Sequence, residues 1–189
     1  TGPSVDRQIR VPFSGSGTAG EPPAYSPLLR ACALSETIDN TTGSESVTYQ
    51  PVSQGMDSVT IWWYEDGQVQ EIRGARGTYE VGADAQSLPY WQFNLTGLYS
   101  RPQNAPTVQG AESTVAGEVP INKQNSTFTL FGYPARLQAF SQNAGNQVEY
   151  RNLVGYEGVH ITDRRVTGNI TIEAPALADF NAFEKVESH

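Results

Sequence analysis

The residues of this chain that could do chemistry begin with Gly15-x-Gly17-x-x-Gly20, the letter pattern of a dinucleotide-binding loop, followed at a distance by Asp39. That loop works when a buried strand precedes it and a helix opens at its end, so that helix amides meet the pyrophosphate. Here Glu21-Pro22-Pro23 follows at once, and a Pro-Pro pair does not open such a helix. Arg7 to Phe13 is too polar for a buried parallel strand, so a glycine-rich loop is the better reading. Nucleophilic catalysis would have to use His160, because the other histidine, His189, is terminal. No serine lies in a nucleophile elbow, and the single Cys32 sits on the apolar side of an expected helix, where thiols are buried and inert. Two histidines and one cysteine without close spacing make no zinc site. Glu65, Asp66 and Asp84 follow no calcium-loop pattern. The expectation is therefore no catalytic residue, no cofactor and no metal, although a carboxylate-pair hydrolase stays open among the 20 acidic residues.

Two further groups could bind rather than react. Trp62, Trp63, Tyr64, Tyr90 and Trp91 could stack on sugar rings, which makes a carbohydrate-binding β-sandwich module the alternative function. Burial in a core or a subunit interface is the commoner fate of such side chains. Arg73-Gly74-Ala75-Arg76-Gly77 could grip a phosphate, but reads better as a turn between two strands with solvated or interface arginines. Four Asn-x-Ser/Thr triplets, beginning at Asn40, Asn94, Asn125 and Asn169, are matches expected by chance in a chain rich in Asn and Thr.

The elements that must position these residues are mostly strands. The 189 residues suggest one domain over 1–189. Residues 1–24 read as an N-terminal loop or arm and 100–125 as a long loop, a length that is usually functional when it occurs in a compact domain. A short helix is predicted from Ser26, with Ser26 as its cap, Pro27 in its first turn and Leu28, Leu29, Ala31, Cys32 and Leu34 as its apolar side. Strands are predicted over 47–52, 58–64, 68–72, 77–81, 90–99, 126–131, 135–140, 147–154 and 166–173, with His160 on a strand as well. Asp66-Gly67 joins two of them as a tight hairpin. In 166–173 the alternation puts Val166, Ile170 and Ile172 inward. A second short helix is predicted over about 175–186, from Leu177, Phe180 and Phe183. The predicted fold is mainly β, a β-sandwich or partial barrel with one or two flanking short helices. The strand at 59–64 is apolar on both faces, with Val59, Ile61 and Trp63 on one and Trp62 and Tyr64 on the other. A half-solvated strand does not look like that, so a helix or another subunit should cover the second face.

Charged residues are only 17% of the chain, against roughly 25% in an ordinary soluble domain, which suggests surface covered by partners. A net charge of -8 argues against tight phosphate-backbone binding, while an acidic wall suits a conduit whose cargo must not stick. A single cysteine allows no intrachain disulfide and fits a reducing compartment. No apolar run approaches the roughly 20 residues of a membrane span, no secretory signal is visible, and no membrane insertion is expected.

The ordered set of motifs resembles a known family. The N-terminal stretch Phe13-Ser14-Gly15-Ser16-Gly17-Thr18-Ala19-Gly20, then Pro22-Pro23-Ala24-Tyr25-Ser26-Pro27-Leu28-Leu29-Arg30-Ala31-Cys32, is similar to that of tail tube proteins (major tail proteins) from siphophages, the long non-contractile-tailed bacteriophages, and related prophages. The similarity continues through Val47-Thr48-Tyr49-Gln50-Pro51-Val52-Ser53, the Asp66-Gly67 hairpin, Gly74-Ala75-Arg76-Gly77-Thr78 and Phe93-Asn94-Leu95-Thr96-Gly97-Leu98-Tyr99, and covers nearly the whole chain. It departs at Cys32-Ala33, where a glycine is expected near the helix end. The resemblance implies a non-enzymatic virion protein whose strands contribute to a hexameric inner β-barrel. The hexameric rings stack into the tail tube that delivers DNA to the host. It also implies assembly in the bacterial cytoplasm with the tape measure protein, the tail terminator and distal tail or baseplate proteins. Double-stranded DNA would pass through the lumen without specific binding. A tube from a contractile tail or secretion apparatus would share the architecture. Trp62, Tyr64, Arg73 and Arg76 are the expected subunit contacts.

Overall fold

The structure, a computed structural model, describes residues 3–106, 117 and 119–176. It is mainly β, with one short helix among the described residues. The strands are β1 (Ser4–Pro12), β2 (Leu34–Asp39), β3 (Ser46–Pro51), β4 (Val59–Glu65), β5 (Gln68–Asp84), β6 (Tyr90–Leu98), β7 (Gln103–Asn104), β8 (Leu137–Asn143), β9 (Asn146–Leu153), β10 (Tyr156–Arg164) and β11 (Thr167–Ile172). The helix, α1, spans Ser26–Ala31. A seven-stranded antiparallel sheet runs β1-β6-β5-β8-β11, with β4 and β7 added on β5. The hairpins β2–β3 and β9–β10 form two further two-stranded sheets. Among the described residues no sheet closes into a barrel.

The long strand β5 organises the molecule. It leaves β4 through a two-residue turn in which Asp66 and Gly67 have φ of 45° and 74°, the left-handed conformations that match strand twist in tight hairpins. The segment 73–77, expected to be a turn, lies inside β5. Its glycine signal marks a bulge instead: Gly74 has φ 58° and the register with β6 shifts between Arg73 and Arg76. The extra residue reverses the side-chain alternation, so Ile72 and Gly77 share one face although their numbers differ in parity. Gly77 and Gly97 are there for close approach, since a Cβ at Gly97 would lie 2.4 Å from Ile72 Cγ2 and one at Gly77 2.1 Å from the Asn94 carbonyl oxygen.

The core lies between that face and α1. Leu29, Ala31, Cys32 and Leu34 pack on Ile72, Ala75, Phe93 and Leu95, with Ile9, Val11, Val59, Ile61 and Tyr79 at the margin. Six helical residues would not hold alone, so packing of this apolar side sustains the helix. Ser26 does not cap it; Ser26 is its first residue and its hydroxyl is turned to the Glu36 carboxylate. The helix ends on Ala33 with φ 61°, the conformation for which a glycine was expected.

Four other expectations fall differently. Residues 4–12, expected within an N-terminal loop or arm, form the edge strand β1. Its alternation of Val5, Ile9 and Val11 with Ser4, Asp6, Gln8 and Arg10 is that of a half-solvated antiparallel strand, not of the fully buried strand that it was tested against. Residues 126–131 are not a strand, although Leu130 bridges Tyr133, because no neighbouring strand offers them a ladder. Val166 and Ile170 are 52% and 47% exposed rather than inward, because β11 is the sheet's outermost strand and the described core does not reach it. Within 100–125, Gln103–Asn104 pairs with Gln68 and Val69 of β5, and residues 107–116 and 118 lie outside the described residues. The second predicted helix falls almost wholly on residues 177–189, also outside them. Among the described residues no helix is long and apolar enough to cross a membrane.

Candidate assembly surfaces

β4 carries the most exposed aromatic surface. Its register with β5 puts Ile61 opposite Ile72 and Trp63 opposite Gln70 on the core face, and Trp62 and Tyr64 on the other. Val59 and Ile61 join the core margin. Trp63 is shared: the Arg7 guanidinium lies 5.2 Å from its ring centroid and Arg7 also bonds Gln70 at 3.0 Å. Trp62 is 58% and Tyr64 47% exposed, on a face that the rest of the described subunit leaves open. On that same face Arg73 is exposed and paired with Glu71 at 2.5 Å.

Arg76 has a different setting from the other three expected contacts. Its guanidinium donates to the carbonyls of Met56 (2.9 Å), Asp57 (3.1 Å) and Val159 (2.6 Å), tying β10 and the entry to β4 onto β5. Sequence reading missed its counterpart, Arg164. That guanidinium donates to the carbonyls of Ala33 and Val52 and to Asn146 Oδ1, each at 3.0 Å, and the buried Asn146 amide donates to the carbonyls of Cys32 and Gly77. The two residues gather the end of α1, the exit of β3, β5 and the β9–β10 hairpin into one polar node. An Arg-Arg pair at 164–165 carries no local signal of this, because every acceptor but Asn146 is a main-chain carbonyl far away in sequence.

The glycine loop Gly15–Gly20 does follow a strand, β1, but the helix opens only at Ser26. With Phe13, Tyr25, Tyr49 and Trp91 the loop lines an open cavity of about 440 Å³ whose charged lining residues are Glu21 and Glu45, the wrong sign for a pyrophosphate. Phe13 stacks on Trp91 at 5.2 Å and Tyr25 donates to the Ser14 carbonyl at 2.7 Å, which fixes the loop to the core. His160 lies on β10 with its Nε2 2.5 Å from the Tyr156 hydroxyl. Cys32 is fully buried and its thiol is pushed up to about 12 by desolvation, so it is not a nucleophile in the folded subunit. Glu36 receives hydrogen bonds from Ser26 and Tyr49, with Arg30 nearby, and these hold its carboxyl below the usual range. Burial, with the Glu36 charge, pushes Tyr49 up to about 12. This cluster braces α1 against β2 and β3. Among the described residues no group of three or more His, Cys, Asp or Glu side chains could hold a metal ion.

Among the described residues the sheet has four outer strands, β1, β4, β11 and the two-residue β7, each paired along one side only. Open edges beside exposed Trp62, Tyr64, Val166 and Ile170 define a mainly-β subunit with surface suited to contact with other chains. The chain matches the family model for phage tail tube proteins over residues 1–188, and it belongs to that family. It is thus a structural protein of the bacteriophage virion tail. No curated protein and no solved structure matches the chain.

Proposed function

We propose that this chain forms hexameric rings that stack into the tail tube, the conduit through which DNA passes into the host, and that it has no catalytic activity. The observation that carries this reading is the open non-core face of β4, where Trp62 and Tyr64 stand exposed beside an unpaired strand edge. Leaving such surface uncovered invites association, and a ring covers it. Trp62, Tyr64 and Arg73 are the proposed contacts; Arg76 serves them indirectly by holding β5 in place. Away from β4, the face of the sheet opposite α1 suits a lumen. It carries Asp6, Glu80 and Asp84 against Arg10, with Gln92, Asn94 and Thr96 between them. The acidic excess on such a wall repels phosphates and leaves DNA mobile. Tape measure, terminator and distal tail proteins would meet the tube at its ends and along its bore, with assembly in the host cytoplasm.

Electron microscopy of the purified protein over a concentration series, with and without the distal tail proteins of the same virion, tests the reading. Sixfold rings or hollow tubes are expected. The double variant Trp62→Ser, Tyr64→Ser should stay monomeric by light scattering while its monomer stability changes by only about 0.5 kcal/mol, as for exposed sites. Monomers under all conditions, with indole fluorescence that shifts on adding glycans, would replace this reading by the carbohydrate-binding one.

A further inference from the structure

We propose that the tip of the β9–β10 hairpin seats in the cavity beneath the glycine loop of a second copy in the next ring, so that hairpin and cavity are plug and socket. The proposal rests on the stacked-ring reading above and deepens it by naming the contact between rings. Hairpin turns are ordinarily made of Gly, Asn or Asp. This one is apolar: Leu153-Val154-Gly155-Tyr156, with Gly155 at φ 83° to close the turn. Leu153 is 62% exposed and Val154 wholly so, and every residue from 151 to 157 is exposed. Val159, nearer the root, is buried, so only the distal half of the hairpin stands clear. An apolar tip held away from its own subunit marks a contact with another chain.

The socket matches the tip in chemistry and in place. Its walls include Phe13, Tyr25, Val47 and Trp91 with Glu21 and Glu45, and its lining holds no Lys or Arg among the described residues. At about 440 Å³ it is of the size that takes a small organic molecule, and hence a pair of apolar side chains. Arg151 stands two residues behind Leu153 on the same face of the hairpin, in an exposed pair with Glu149 at 3.3 Å. Glu157 lies on the other face, where the Tyr150 hydroxyl donates to it. A guanidinium behind an apolar tip thus meets a cavity that is aromatic inside and acidic. The two features lie at opposite ends of the subunit. Phe13 bonds the Pro89 carbonyl and Trp91 pairs with Val81, which puts the socket where β6 begins. From there β8 runs against β5 from Asp84 to Glu80, Ala144 bonds Tyr79, Asn146 bonds Thr78 and Gly77, and Val159 meets Arg76. The hairpin therefore advances away from the socket, and the Leu153–Tyr156 pair lies beyond Val159 in that direction. A plug at one end and a socket at the other join copies head to tail, as stacked rings require.

The test is cross-linking of assembled tubes, with the buried, unreactive Cys32 left in place. Val154→Cys on the tip is combined with Ser16→Cys or Ser46→Cys on the socket lining. Tubes are assembled reduced, then oxidised and run on denaturing gels. Covalent chains longer than six subunits are expected, because each bond joins successive rings. A ladder that stops at six, or no cross-link from either pairing in tubes that form, overturns the plug and socket and leaves the ring reading standing. A second arm needs no disulfide. Leu153→Ser with Val154→Ser changes only exposed side chains, so the subunit should fold as before, and rings should form without tubes. Tubes at the unmodified chain's concentration and length would refute the contact. Arg151→Glu should shift tube formation to higher protein concentration, and Glu45→Lys in the same chain should reverse that shift; a shift left unreversed counts against the pairing of these ends. Failure of the unmodified chain to form rings or tubes removes both readings.

Discussion

Arg164 is the residue whose loss should cost the subunit most for the least change in shape. Its guanidinium makes three 3.0 Å hydrogen bonds, to the carbonyls of Ala33 and Val52 and to Asn146 Oδ1, and it is partly buried. Replacement by Met keeps much of the apolar stem but takes the donor from the Val52 carbonyl and from the amide oxygen of buried Asn146, while the Ala33 carbonyl keeps the Val52 amide. A hydrogen bond to a charged group contributes roughly 1.5–3 kcal/mol, and bonds from one guanidinium do not add. Arg164→Met should therefore destabilise the monomer by about 2–4 kcal/mol. Urea denaturation below the assembly concentration is the assay, with an unchanged slope and a lower midpoint. Arg164→Lys should recover only part, because an ammonium keeps the charge but cannot span three acceptors in one plane. A Met variant within about 0.5 kcal/mol of wild type would refute the node, since surface substitutions already give changes of that size.

Acid stability offers a second check. The folded carboxyl of Glu36 is held below its ordinary value of 4.5, so its contribution is present above about pH 4.5 and is lost as pH falls through the folded value. Glu36→Gln should flatten that acid limb in urea titrations at stepped pH, and an unchanged limb would place the cause elsewhere. Cys32, with its thiol at about 12 and no exposed surface, should react with a disulfide reagent only as fast as the subunit unfolds. Labelling with the same rate in the presence and absence of mild urea would contradict that. Gly97→Ala drives a methyl to 2.4 Å from Ile72 Cγ2 and 3.0 Å from Ala75 Cβ, in a core with no slack. It should cost about 1–3 kcal/mol by the same denaturation assay, and a neutral result would mean that the β5 bulge yields easily.

What was readable along the chain was what depends on near neighbours. The Asp66-Gly67 turn is specified by two residues that tolerate positive φ, and it sits where expected between β4 and β5. The two apolar sides of β4 were legible from alternation alone, and the structure splits them into Val59 and Ile61 at the core and Trp62 and Tyr64 in the open. The glycines at 74 and 77 were misread because a bulge and a turn use the same residue, and only the partner strand distinguishes them. The edge position of β11 was likewise invisible, since a clean alternation says that one face is apolar and not that anything covers it.

The sequence by itself determined that this protein is built of strands and that few of its residues are suited to chemistry, because composition and local spacing carry those signals; its ordered motifs also resemble those of tail tube proteins. Only the tertiary structure decided which surfaces remain to be covered. Residues 4–12 became an edge strand by pairing with β6, and Arg76 was drawn to Val159, 83 residues away, leaving Trp62, Tyr64 and Arg73 at the surface. Those outcomes depend on which main-chain carbonyls and strand edges meet across the fold, and carbonyls and edges are the same for every residue type, so no pattern of side chains announces them.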